Sequence, residues 1–153
     1  MTDSKDIEKF LIEARTNTYA SSGGKVDALL EDSKQLEYKR EDWTYRDVYF
    51  TGKHTFVGLE TVYKKNKAVF SMSYYGNWGE MTEQEIDNIL RNALIENHET
   101  RLYKNIEWEK DGFVYSCSPD SNDGVDEIGG TESITKDGEQ VYVFYYAGSV
   151  LGA

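Results

Sequence analysis

The chain has 153 residues, of which 39% are apolar and 14% aromatic, and a formal net charge of −11. Such a length is expected to form one domain, residues 1–153, that buries ~70% of its unfolded surface without needing a disulfide or a metal. The single Cys117 excludes an internal disulfide, and 16 acids against 5 bases over residues 80–140 would repel nucleic-acid phosphates.

The first ten residues, MTDSKDIEKF, are charged from the third onward. They do not read as a signal peptide, and no apolar run approaches the ~20 residues of a membrane span. The expected location is the cytoplasm, with no nucleic-acid or membrane partner. Residues 4–15 carry Ile7, Phe10, Leu11 and Ala14 on one stripe, which predicts a helix that Ser4 can cap. Residues 16–35 are turn-rich around Ser21-Ser22-Gly23-Gly24 and read as a loop.

Residues 43–75 read as a three-stranded meander, with turns at Thr51–His54 and Lys64–Lys67. Pairing across short turns sets Phe50 beside Thr55, Tyr45 beside Glu60 and Asp47 beside Gly58, then Thr61 beside Phe70 and Glu60 beside Ser71. Alternation then divides the meander into two faces. Val48, Phe50, Val57, Leu59, Phe70, Met72 and Tyr74 form the expected core face. Trp43, Tyr45, Asp47, Tyr49, Phe56, Glu60, Ser71 and Tyr75 form the other.

Residues 82–97 predict a second helix. Thr82 and Glu85 make a capping box, and Ile86, Ile89, Leu90, Ala93 and Leu94 make the stripe that packs on the apolar meander face. Asp111-Gly112 and Asp137-Gly138 each sit between β-rich runs, the pattern of tight hairpins, with Trp108 opposite Tyr115 and Ile106 opposite Cys117. The expected fold is α+β: two helices and a curved antiparallel sheet of six to seven strands, with no repeat at a fixed period.

Part of the chain resembles a family of uncharacterised bacterial domains, some of which follow a helix-turn-helix segment in regulators. The resemblance covers residues 10–76. It rests on Thr18-Tyr19-Ala20 with Gly23-Gly24, on Leu36-Glu37-Tyr38, and on Asp42-Trp43-Thr44-Tyr45-Arg46-Asp47-Val48-Tyr49. Phe56-Val57-Gly58-Leu59-Glu60 and Ser71-Met72-Ser73-Tyr74-Tyr75-Gly76 complete it. It implies one bacterial domain and no known activity.

The aromatic and acidic face is the candidate site. Asp47, Glu60 and Ser71 supply polar groups among Trp43, Tyr45, Tyr49 and Tyr75, with Tyr19 and the Gly23-Gly24 loop as lids. Such a face suits a small polar or cationic ligand. Tyrosine hydroxyls could equally satisfy the two acids as buried structural groups. Three functions follow from the same residues. The first is a non-catalytic effector-binding or sensing domain without a cofactor. The second is an interaction module or homodimer using that face or the uncharged edge Val141–Tyr146. The third is a hydrolase with Asp47 and Glu60 as paired carboxylates, offset by two positions. His54 and His98 lack a second ligand at zinc spacing, and Asp120–Gly124 fails the calcium-loop pattern, so no metal is expected.

Overall fold

Asp3, not Ser4, caps the first helix, α1 (Ser4–Asn17): its carboxylate accepts from the Lys5 amide. Helix α2 (Glu83–Glu96) has the complete Thr82/Glu85 capping box. Between and after them run nine antiparallel strands: β1 (Lys25–Val26), β2 (Lys34–Arg40), β3 (Trp43–Thr51), β4 (Thr55–Lys64), β5 (Lys67–Asn77), β6 (Ile106–Lys110), β7 (Phe113–Pro119), β8 (Glu127–Lys136) and β9 (Glu139–Val150). They form one sheet in the order β1-β2-β3-β4-β5-β9-β8-β7-β6. This is a computed structural model describing residues 2–97, 102–121 and 123–152.

The sheet is larger than the six to seven strands expected, because part of the supposed loop pairs. Lys34–Arg40 hides Leu36 and half-buries Tyr38 among charged neighbours, and Lys25–Val26 adds a short edge. The run that reads as an exposed edge, Val141–Tyr146, belongs to β9, which is paired on both sides by β5 and β8. The Asp-Gly hairpins form as expected, with Trp108 opposite Tyr115 and Ile106 opposite Cys117. Asp137 and Gly138 both take the positive φ that such two-residue turns require.

Two register differences decide the faces. Strands β3 and β4 are slipped by two residues from the expected pairing, so Asp47 faces Glu60 and Tyr49 faces Gly58. A two-residue slip keeps every side chain on its face. Between β4 and β5 a bulge after Val62 shifts the register by one, which exchanges the faces of β5. Phe70, Met72 and Tyr74 therefore join the acidic face, and Ser71 and Tyr75 leave it.

The helices cover the aromatic and acidic face, where Trp43, Tyr45, Val62, Phe70 and Met72 are buried. The expected core residues Phe50, Val57 and Leu59 lie on the opposite face, 44%, 52% and 48% exposed. The large rings bury more area, and their polar tips can pair under a helix, so this face makes the better core. Phe10 of α1 stacks on Tyr38 and Trp43, and α2 closes over the second half of the sheet through β7.

The sheet order also reveals an internal repeat that the sequence conceals. Helix α1 with β2-β3-β4-β5 matches α2 with β6-β7-β8-β9, and β5 meets β9 at the centre. The buried stripe Ile7, Phe10, Leu11, Ala14 has the spacing of Ile86, Ile89, Leu90, Ala93. The bulge between Val62 and Tyr63 recurs between Ile134 and Thr135. Lys64 lies over the Trp43 ring as Lys136 lies over Phe113. Tyr45 donates to Glu60 as Tyr115 donates to Glu132. The connections differ in length and composition between the halves, so no fixed period survives in the chain.

Candidate functional site

The covered face encloses a cavity of about 560 Å³, walled by α1, α2, the segment from Tyr19 to Ala28 and strands β2 to β5 and β9. That segment is shaped by its own backbone geometry and joins the edge of the sheet through β1. A short helical turn at Tyr19–Ser21 follows α1, and Gly24 takes φ +80° where a Cβ would meet Thr18 Cγ2 at 2.6 Å. The Gly24 carbonyl then accepts from the Glu37 amide at 2.8 Å, which ties the segment to β2.

At the floor stand two carboxylates on neighbouring strands, Asp47 of β3 and Glu60 of β4, 8% and 5% exposed. Directly paired residues on one face hold their Cβ atoms about 5 Å apart. Glu60 is gripped by Arg15 of α1, with Nε to Oε2 at 3.0 Å and Nη2 to Oε1 at 2.7 Å, and by the Tyr45 hydroxyl. Arg15 follows directly on the buried stripe of α1, so the same turn that packs the helix aims its guanidinium at the floor. Asp47 accepts from the Tyr74 hydroxyl. Tyr74 reaches it across Gly58, where any Cβ would collide with the Tyr74 ring and hydroxyl.

Burial, and then the neighbouring carboxylates, push the Tyr45 and Tyr74 phenols well above their usual range. Tyr49 is raised as well, first by burial and then by Asp47, Glu83 and Asp87. Both hydroxyls at the floor are therefore held protonated as donors. The apolar wall is continuous: Phe56 stacks on Trp78 with centroids 5.8 Å apart and meets Phe144 at 6.0 Å. At the mouth Tyr19 donates to Asp87 at 2.7 Å, and Arg91 lies over the Tyr19 ring.

Of the eight residues chosen from sequence, Tyr19, Tyr45, Asp47, Tyr49 and Glu60 line the cavity. Trp43 is buried beside it against Phe10 and Lys64. Ser71 and Tyr75 are corrected: the bulge turns them to the opposite face, where Tyr75 stacks on Tyr145. Arg15, Tyr74, Met72, Trp78 and the α2 residues were missed. Arg15 alone left a trace, as a cation next to the apolar stripe of α1. The tyrosine partners proposed for the two acids are present, although Tyr74 comes from the face where the expected register did not put it.

Of the remaining candidates, those that the structure describes do not line this cavity. His54 lies in the β3–β4 turn, and its carbonyl accepts from the Trp78 amide. His98 lies outside the described residues, as does Asn122 of the calcium-like run. Cys117 is buried. Among the described residues no three metal-ligating side chains come together, and no helix is long and apolar enough to cross a membrane.

Fold and site together define an α+β protein in which two helices roof an antiparallel sheet and leave an aromatic, acid-floored cavity. The chain belongs to the DUF5680 family, a domain of unknown function whose match spans residues 47–151. That span overlaps the resemblance read from sequence only over residues 47–76, and it takes in the whole second half of the repeat. No curated protein and no solved structure matches the chain.

Proposed function

We propose that this protein binds a small ligand in the cavity between its helices and the aromatic face of its sheet, and that it does so as a sensing domain without catalysis. The observation that supports the reading is the cavity itself. Its volume falls in the range of small-molecule sites, and its wall is apolar with a few convergent polar groups. The lack of catalysis follows from the state of the acids. Both oxygens of Glu60 are engaged by Arg15 and Tyr45, so Glu60 is not placed to exchange a proton with a substrate. By analogy with the bacterial domains it resembles, some of which follow helix-turn-helix segments, we read it as a domain of a cytoplasmic bacterial protein.

A thermal-shift panel of amines, sugars, nucleosides, amino acids and carboxylates tests the reading. A ligand at one hundred times its dissociation constant adds ~2.7 kcal/mol, which raises the midpoint of a domain this size by several degrees. A panel that stays flat to millimolar concentration in every class would sink it.

A second reading has its own observation. On the opposite face Phe50, Val57, Tyr75 and Tyr145 form one row across four strands, and all four are more than a third exposed. An uncovered apolar row of this kind suits a protein partner or a second copy. Sedimentation at high concentration separates the two: a strict monomer that stays monomeric without ligand removes the homodimer.

A further inference from the structure

The repeat gives the uncovered face of the sheet an internal control, because each half shows what the shared architecture needs. Asp47 pairs with Glu60 in the first half as Cys117 pairs with Glu132 in the second, which sets the halves in register. Next to those pairs, on the opposite face, Val48 pairs with Leu59 in the first half and Ser118 with Thr131 in the second. At the following position on that face Phe50 pairs with Val57, and in the second half the Asp120 amide donates to the Gly129 carbonyl. The strands therefore form with a serine, a threonine, an aspartate and a glycine where the first half carries four apolar side chains. The shared fold does not require the apolar set.

That set continues across the sheet. Tyr75 of β5 lies beside Val57, Tyr145 of β9 lies beside Tyr75, and the two tyrosine rings stack with centroids 6.3 Å apart. Charge is missing from the same area. Among the described residues Arg46 is the one charged side chain on this face of β3, β4, β5 and β9, in a chain of net charge −11. Arg46 is itself turned to the Tyr63 ring and, at 3.3 Å, to Glu37. Depletion of charge among exposed aromatic rings marks the centre of a protein interface.

Resting on the reading of this face as a partner surface, we propose that its partner is a second copy of the chain, packed face to face about a two-fold axis. Phe50, Val57, Leu59, Tyr75 and Tyr145, 38–52% exposed, leave on the order of 400 Å² of apolar surface uncovered. That is about half of the ~800 Å² that each side of a stable interface buries, close to the usual apolar share. Charge selects a second copy over a foreign partner. A basic partner is drawn to carboxylates, which lie off this patch, whereas two acidic copies can meet only where charge is absent. The margins fit the same arrangement. β2 flanks the patch on one side with Glu37 and Lys39, and β8 flanks it on the other with Glu127. An axis running along the strands between β4 and β5 lays β2 of each copy over β8 of the other. Glu127 then approaches Lys39 and Arg46, both of which Glu37 already meets.

Sedimentation velocity of the full chain from ~1 to ~500 µM reads the association. The expected result is a dimer with a dissociation constant of about 10 µM or tighter. Phe50→Asp and Leu59→Thr each introduce the residue that the second half carries at the matching place. Each should weaken the dimer at least about tenfold, and the two together at least about a hundredfold. Circular dichroism confirms that the variants are folded. On wild type, dilution through the transition should shift the methyl resonances of Val57 and Leu59 and leave those of Leu11 and Ile89, under the helices, in place. A monomer at every concentration would overturn the inference and leave the face to a different partner, so the reading of the face would stand without it. A dimer that the variants leave unchanged, or a dilution that moves neither the Val57 nor the Leu59 methyls, would overturn the choice of this face.

Discussion

Replacing Arg15 by leucine, the residue that α2 carries at the matching place as Leu94, removes the guanidinium from a carboxylate that cannot leave. The side chains of Arg15 and Glu60 are 11% and 7% exposed, and the two hydrogen bonds between them are 3.0 and 2.7 Å long. Breaking a buried pair from one side costs about 3–5 kcal/mol, because the remaining charge stays desolvated. Here the lower end is expected, since Tyr45 still donates to Glu60 and the cavity admits water beside it. Asp47 adds repulsion from the neighbouring strand. At roughly 2–4 °C per kcal/mol for a domain of this size, the midpoint should fall by ~6 °C or more. Urea unfolding at neutral pH measures the loss, with an unchanged m-value as the check that the unfolded state is the same. The double variant Arg15→Leu, Glu60→Gln should recover about 2 kcal/mol, because a neutral amide still accepts from Tyr45. A single-variant cost below ~1 kcal/mol, or two costs that simply add, would show that water screens the pair like one on the surface and would refute the account of the floor.

Other outcomes follow from the same groups. Tyr45 and Tyr74 sit well above the unfolded phenol value of about 10, and burial pushes Tyr103 up to about 12. Between those values the unfolded chain binds fewer protons, so stability is whole below pH ~10 and falls as pH rises toward 12. Phenolate absorbance alongside ellipticity tests this, and every tyrosine ionising near 10 without loss of structure would contradict it. Gly58→Ala should cost about 1–3 kcal/mol and move Tyr74 off Asp47, visible as a shift in the Tyr74 ring resonances. Tyr115→Phe should cost about 1–3 kcal/mol by taking a donor from sealed Glu132, and Tyr45→Phe less, since Arg15 still holds Glu60. Equal costs in the two variants would mean that Arg15 adds nothing.

Local rules placed most of the site without placing it correctly in space. The pairing of Trp43, Tyr45, Asp47 and Tyr49 on one face follows from alternation alone, and it survived a two-residue slip because the side-chain period is two. Glu60 stayed with them for the same reason. Ser71 and Tyr75 were lost to a single extra residue, Val69, bulged opposite Val62 and Tyr63, since one extra residue reverses the rest of the strand. Which face became the core was likewise beyond alternation. Both faces carry apolar side chains, and the choice was made where the helices came down.

The sequence by itself determined the two helices, the Asp-Gly hairpins and the grouping of acids with aromatic rings, because each depends on neighbours a few residues apart. Tertiary structure alone decided that β9 lies at the centre of the sheet, that Arg15 meets Glu60, and that the chain is built as two matching halves. Those facts join residues far apart along the chain, through connections whose lengths differ between the halves. Their physical cause is the burial of two helical stripes against one continuous sheet, a property of the whole surface and of no single segment.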